Sequence, residues 1–91
     1  MLMLKVLIVD DHDMVSQGIS RVLQDVQGVE VVGVVHNGED AITQSRVLLP
    51  DIILMDVHMP GIGGLGATKE IKRILPKTKI IALSALDDNL Y

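Results

Sequence analysis

Near its start the chain reads Lys5-Val6-Leu7-Ile8-Val9-Asp10-Asp11. A short aliphatic and β-branched run of this kind is typical of a buried β-strand. The apolar residues before it are interrupted by Lys5, and no small-residue cleavage site follows, so we do not interpret the segment as a signal peptide. The sequence therefore predicts a central strand with two carboxylates at its carboxyl end.

Three further runs have this character, and helical patterns separate the runs. The predicted strands are 5–9, 29–35, 52–55 and 80–83. Apolar and small residues recur at helical spacing in three segments: Val15, Ile19, Val22, Leu23 and Val26; Ala41, Ile42, Ser45, Leu48 and Leu49; Leu65, Thr68, Ile71, Ile74 and Leu75. Asp13 and Asn37 occupy expected N-cap positions, and Pro50 and Pro76 follow the second and third helices.

Alternating strands and helices predict right-handed crossovers, and hence a parallel sheet covered by helices on both faces. The first and third strands are apolar throughout, as central strands must be, whereas the second carries Glu30 and Gly33 and resembles an edge. We therefore expect the α/β class, with a doubly wound sheet of strand order 2-1-3-4. Ligands in such sheets bind at the carboxyl ends of the strands, beside the switch point.

Polar residues follow those strand ends. Asp10 and Asp11 follow the first predicted strand, Asp56 follows the third and Ser84 follows the fourth. The second strand is followed by a turn at residues 36–38. Neighbouring strands lie about 4.8 Å apart, so the carboxylates must crowd and repel unless a cation binds. A single such aspartate is usually a helix cap or a solvated loop residue. Three aspartates together supply the carboxylate oxygens that magnesium prefers as ligands. The sequence therefore predicts a magnesium site and metal-assisted phosphoryl chemistry.

Composition excludes several other classes of function. The chain of 91 residues fits one domain, and 48% hydrophobic residues allow a packed core. Its net charge of −4 is spread without a basic run, which argues against direct nucleic-acid binding. No run approaches the roughly 18 apolar residues of a membrane span. The absence of cysteine excludes disulfides and thiolate metal sites.

A rival motif lies at residues 61–66, which read Gly-Ile-Gly-Gly-Leu-Gly and satisfy the dinucleotide-binding pattern G-x-G-x-x-G. Asp87 follows about 20 residues later, where the dinucleotide-binding pattern has an acidic residue. The rival hypothesis is therefore a Rossmann dehydrogenase. Against it, residues 57–60 separate the motif from its strand, and the hypothesis leaves Asp10 and Asp11 unexplained.

His12 and His58 raise the question of an imidazole metal ligand. Neither pairs with another ligand at helical spacing. We expect both to be ordinary loop side chains.

Three motifs resemble the receiver domains of two-component response regulators, and the resemblance spans the whole chain. They are Val9-Asp10-Asp11-His12 with Met14 after it, Asp56-Val57-His58-Met59-Pro60-Gly61, and Leu83-Ser84-Ala85. The sequences of residues 10–12, 59–65 and 81–85 are most similar to those of receivers of the NarL/LuxR type. Such receivers usually precede a helix-turn-helix output domain. The resemblance implies a flavodoxin-like receiver domain over residues 1–91.

The resemblance also implies a role for each site residue. Asp56 would accept a phosphoryl group from a sensor histidine kinase, a phosphotransfer protein or a small phosphodonor. Asp10, Asp11, Asp56 and the backbone carbonyl of His58 would bind Mg2+, and Ser84 would hydrogen-bond the phosphoryl group. Such a domain is a cytoplasmic signalling module rather than an enzyme with an external substrate.

The chain departs from the family at its end, because the family expects a further helix, a strand bearing a lysine, and a final helix. We expect Lys69, Lys72, Lys77 and Lys79 to lie on or after the third helix, where they cannot replace that lysine. The alternative is therefore a docking or oligomerising module without phosphotransfer, forming a homodimer or a swapped oligomer. In either case the first helix would be a kinase-docking surface, with Ser16, Gln17 and Gly18 among its exposed residues.

Overall fold

A computed structural model describes residues 2–83 of the chain. The elements in chain order are β1 Leu4–Val9, α1 Asp13–Gln24, β2 Val29–Val35, α2 Gly38–Leu48, β3 Ile52–Asp56, α3 Gly63–Ile74 and β4 Lys79–Leu83. All paired strands are parallel, and the sheet order is β2-β1-β3-β4. The predicted α/β class, the three helices and the strand order 2-1-3-4 are confirmed.

The strand β1 is buried on both faces, as its apolar sequence predicts. Leu7 and Val9 belong to the core cluster, together with side chains from β3, α2 and α3. Val6 and Ile8 are also buried but point to the other face, where α1 packs on β1 and β2. Full burial of an aliphatic side chain contributes about 1.5 to 3 kcal/mol, so β1 anchors both layers.

The strand β2 forms one edge of the sheet, as Glu30 and Gly33 predict. Its pairing with β1 shifts register between Val6 and Leu7. The missing side chain of Gly33 leaves room there, because a Cβ would stand only 3.2 Å from Cδ1 of Leu7. Within the described residues β4 forms the opposite edge, where Ile81 is 44% exposed.

The helix caps agree with the sequence in part. Asn37 caps α2, and its Oδ1 accepts a hydrogen bond from the Asp40 amide at 2.7 Å. The expected Asp13 cap is wrong, because His12 occupies the N-cap position without a side-chain cap and Asp13 is the first helical residue. In the first turn of α1 the negative charge of Asp13 still interacts favourably with the helix dipole.

Two further expectations about helices are corrected. Ser16 is buried in the packing of α1, and its hydroxyl donates to the Asp13 carbonyl at 3.1 Å, whereas Gln17 and Gly18 are exposed as expected. Gly38, placed in a turn by the sequence, begins α2. In the part of the chain from residue 2 to residue 83, no helix is long and apolar enough to cross a membrane.

Candidate metal centre

The site is built on the carboxyl ends of the two central strands. Val9 pairs with Met55 in the register of β1 and β3, so the next residues, Asp10 and Asp56, stand level with each other. Both are buried, with 3% and 7% of their surface exposed. Burying two carboxylates side by side is costly unless a counter-charge or hydrogen bonds compensate.

The same local turn holds each of these carboxylates. The amide of His12 donates to Oδ1 of Asp10 at 2.8 Å, and the amide of His58 donates to Oδ1 of Asp56 at 2.9 Å. At the carboxyl end of each strand an aspartate side chain therefore accepts from the backbone amide two residues on, as aspartates in turns commonly do. These bonds orient both carboxylates before any ligand binds.

Asp11 completes the cluster from the β1–α1 loop. One ligand atom from each of Asp10, Asp11, His12 and Asp56 lies within 4.8 Å of the others. The structure thus brings together the three carboxylates that the sequence predicts. Its donor set fits a hard divalent cation, because carboxylate oxygens predominate and a cation would remove their mutual repulsion.

His12 is the member of this cluster that the sequence analysis missed. Its Nδ1 lies 2.9 Å from Oδ1 of Asp11 and 3.2 Å from Oδ1 of Asp10. The expectation of an ordinary loop side chain rested on the lack of a partner at helical spacing. That criterion fails here because the tight turn after β1 folds the ring back onto the two preceding residues.

His36 is a second residue whose contact with the site was missed. Its Nδ1 lies 2.9 Å from the backbone carbonyl oxygen of Asp10, which can only accept, so Nδ1 donates this hydrogen bond. Nε2 of the same ring lies 3.6 Å from Oδ1 of Asp13. The imidazole at the end of β2 therefore ties the edge strand to the loop that carries Asp10.

The glycine-rich segment at 61–66 has a structural role beside the cluster. It follows β3 through a loop in which Gly61 adopts a φ of 76°, and α3 begins inside the motif at Gly63. At Gly64 a Cβ would overlap the carbonyl oxygen of Asp56 and lie 2.7 Å from the Cα of Val57. The glycines therefore serve the close approach of α3 to β3, and the dinucleotide hypothesis loses its support.

The lysines at the other end of the sheet do not reach the site. Lys5, at the start of β1, donates from Nζ to the Leu48 carbonyl at 3.3 Å. Lys72 donates to the carbonyls of Pro76 and Thr78 beyond α3. Lys72 lies on α3, as the sequence analysis expects. The remaining predicted site residue, Ser84, lies outside the described residues.

The fold and this cluster define a receiver domain, the signalling module of two-component systems. Residues 6–91 match the response regulator receiver domain family, and the chain belongs to that family. It is similar to the response regulator GacA of Pseudomonas syringae, with 48% identity over 89 residues that cover 98% of this chain and 42% of GacA. The chain thus spans less than half of that relative.

Solved structures support the same assignment. The receiver domain of the putative response regulator NarL from Mycobacterium tuberculosis superposes with a TM-score of 0.88 and 30% identity, covering 97% of this chain and 71% of that one. The isolated receiver domain of RcsB from Salmonella enterica, in the presence of the phosphomimetic BeF3−, gives a TM-score of 0.81 and 32% identity, covering 88% and 60%. The predicted similarity to NarL/LuxR-type regulators is confirmed.

Proposed function

We propose that residues 1–91 form a receiver domain that accepts a phosphoryl group on Asp56, with Mg2+ as cofactor. The phosphoryl donor is a sensor histidine kinase, a phosphotransfer protein or a small phosphodonor. The observation that carries the proposal is the clustering of the buried Asp10 and Asp56 with Asp11 at the carboxyl ends of β1 and β3. Such a cluster supports phosphoryl transfer, in which catalysis consists mainly of positioning and charge stabilisation.

In the proposed reaction a carboxylate oxygen of Asp56 attacks phosphorus. An O–P bond forms while the P–N bond of the donor phosphohistidine breaks, and the imidazole leaves with the bonding electrons. The amide of His58 keeps the Asp56 carboxylate oriented for this attack through its hydrogen bond to Oδ1. Burial of Asp56 limits competition by water at the nucleophile.

The carboxylates of Asp10, Asp11 and Asp56 and the backbone carbonyl of His58 would hold the cation. When bound, Mg2+ supplies positive charge that stabilises the transferred phosphoryl group. Ser84 follows β4, whose last residue Leu83 pairs with Asp56 in the register, and its hydroxyl would donate to a phosphoryl oxygen. The RcsB receiver structure with BeF3− supports a phosphoryl site in this family.

In the whole protein this domain would control a DNA-binding output domain and thereby transcription, in the cytoplasm. The basis is the resemblance to NarL/LuxR-type regulators, together with the likeness to GacA, of which the chain covers 42%. Nucleic acid would then be contacted only through the output domain.

A second candidate is a docking or oligomerising module without phosphotransfer. It is favoured by the exposed apolar residues of α1, where Met14 is 86% and Val22 is 66% exposed. These two residues lie on one face of the helix, eight positions apart, with Gly18 between them. The partner would be the kinase, or a second copy of the chain in a homodimer or swapped oligomer.

Intact-mass spectrometry after incubation with acetyl phosphate, with and without Mg2+, tests the first candidate. We expect a Mg2+-dependent gain of one phosphoryl group that is absent from Asp56→Asn. The matched control is Asp25→Asn, which changes an exposed aspartate at the C-terminal end of α1 and should react like the wild type. A folded chain that gains nothing would favour the second candidate, and light scattering would then measure its oligomeric state.

A further inference from the structure

The imidazole of His12 forms the solvent-facing side of the carboxylate cluster. Its side chain is 64% exposed, whereas the side chains of Asp10 and Asp56 are 5% and 9% exposed. The backbone hydrogen bond from His12 to Asp10 holds the ring beside the two buried carboxylates. The cluster therefore has a buried base of oxygen atoms and one nitrogen atom at its open side.

The distances within the cluster match those between ligands of a single cation. Metal–ligand bonds of 2.0 to 2.2 Å place adjacent octahedral ligands about 3 Å apart and opposite ligands about 4 Å apart. Nδ1 of His12 lies 2.9 Å and 3.2 Å from oxygens of Asp11 and Asp10, and 3.9 Å from Oδ2 of Asp56. One ion can therefore be reached by the nitrogen and all three carboxylates without a large rearrangement.

A nitrogen ligand changes which cations such a site prefers. Carboxylates, carbonyls and water suit Mg2+ and Mn2+, whereas imidazole suits Zn2+ and the later transition metals. We propose that His12 is a further ligand of the cation at this site and determines its specificity, so that the domain binds Zn2+ and Mn2+ through nitrogen as well as oxygen. This inference rests on the cation site of the proposed function and adds a ligand to it.

The histidine at the end of β3 provides a matched comparison. His12 and His58 both stand two residues after a buried aspartate, and both donate their amide to Oδ1 of that aspartate. The ring of His12 belongs to the four-residue cluster, which does not include His58. Replacing each ring by asparagine keeps the backbone amides and also the His58 carbonyl that would hold the cation, so the two variants differ in whether the cluster loses its imidazole nitrogen.

Pulsed electron paramagnetic resonance of the Mn2+-loaded chain tests the inference directly, because it detects the nuclear spin of a bound imidazole nitrogen. We expect this nitrogen coupling in the wild type and in His58→Asn, and its loss in His12→Asn. In calorimetric titrations His12→Asn should lower the Zn2+ affinity by at least about tenfold. The Mg2+ affinity should change by no more than about twofold, since that ion prefers oxygen.

The outcomes separate this inference from the proposed function. Mn2+ binding without nitrogen coupling in the wild type, or with equal coupling in His12→Asn, would overturn the role of His12 even if acetyl phosphate still modifies Asp56. The opposite result is a nitrogen coupling that depends on His12 in a chain that acetyl phosphate does not modify in the presence of Mg2+. It would support His12 as a cation ligand and contradict the proposed phosphotransfer to Asp56. Circular dichroism of both variants ensures that only folded chains are compared.

Discussion

Gly64 packs so closely against the end of β3 that the carbonyl oxygen of Asp56 occupies the space of a Cβ. The first turn of α3 and the proposed phosphoacceptor are thus in direct backbone contact. This contact explains why the second residue of α3 is a glycine, and it makes the geometry of the site depend on a residue without a side chain.

Replacing Gly64 by alanine should therefore destabilise the fold and displace Asp56. The added methyl group must push α3 away from β3, and overpacking of this kind costs about 1 to 3 kcal/mol. Denaturant unfolding measures the loss of stability, and the acetyl phosphate reaction measures the damage to the site. The control is Gly18→Ala in the middle of α1, where nothing lies within 4 Å of the added Cβ. This variant should gain about 0.5 to 1 kcal/mol, and equal losses in both variants would contradict the packing argument.

The C-cap of α2 is a site where a glycine should stabilise the chain. Leu49 adopts the left-handed conformation, with φ 49° and ψ 59°, and its side chain is 54% exposed. A Cβ in this conformation costs about 1 to 2 kcal/mol, so Leu49→Gly should stabilise the fold by about 1 kcal/mol. Thermal unfolding should then show a Tm about 4 to 8 °C higher. Leu49→Ala keeps the strained Cβ, and a similar rise in its Tm would exclude the backbone explanation.

His36 is expected to position Asp10 through the backbone. Replacing His36 by leucine removes the donor to the Asp10 carbonyl, and a net hydrogen bond of about 1 kcal/mol corresponds to a roughly fivefold weaker affinity for Mg2+. His36→Asn retains a side-chain amide donor near the position of Nδ1 and should recover much of that affinity. Calorimetric titration of both variants measures the difference. Equal affinities in the leucine variant and the wild type would show that β1 alone orients Asp10.

The pKa of Glu70 offers a test on the α3 surface. The hydrogen bond from Nε of Arg73 to Oε1 of Glu70, at 3.0 Å, together with the charge of Arg73, holds the pKa of this carboxyl below its ordinary value of 4.5. Because the folded pKa is depressed, the stabilisation is complete above the unfolded pKa and is lost as the pH falls through the folded pKa. The exposed position makes the contribution to stability small.

NMR titration of the Glu70 carboxyl measures this shift. Arg73→Gln should return the pKa of Glu70 towards its ordinary value. Arg46→Gln should change it less, because Nη2 of Arg46 lies 4.0 Å from Oε2 of Glu70. A larger effect of Arg46→Gln would mean that the pair between α2 and α3, rather than the pair within α3, dominates in solution.

Much of the architecture follows from local sequence patterns. Apolar runs identify the strands, and doubly buried strands such as β1 and β3 must be central, which leaves little freedom in the strand order. Parallel strands end at the same edge of the sheet, so the residues that follow β1 and β3 meet there. For this reason the sequence alone predicts that Asp10, Asp11 and Asp56 form one cluster.

The tertiary structure alone decided the arrangement around that cluster. The ring of His12 turns onto Asp10 and Asp11 because of the loop torsions after β1, which helical or strand periodicity does not report. The bond from His36 to the Asp10 carbonyl joins residues 26 positions apart, and the burial of Ser16 depends on how α1 packs.

The sequence by itself determined the α/β class, the strand order, the family resemblance and the three carboxylates, because hydrophobic periodicity and strand ends are local properties. The contacts of His12 and His36 and the approach of Gly64 to Asp56 needed the folded chain. They depend on side-chain direction and on distances between segments remote in sequence, which are settled only when the sheet and its helices pack together.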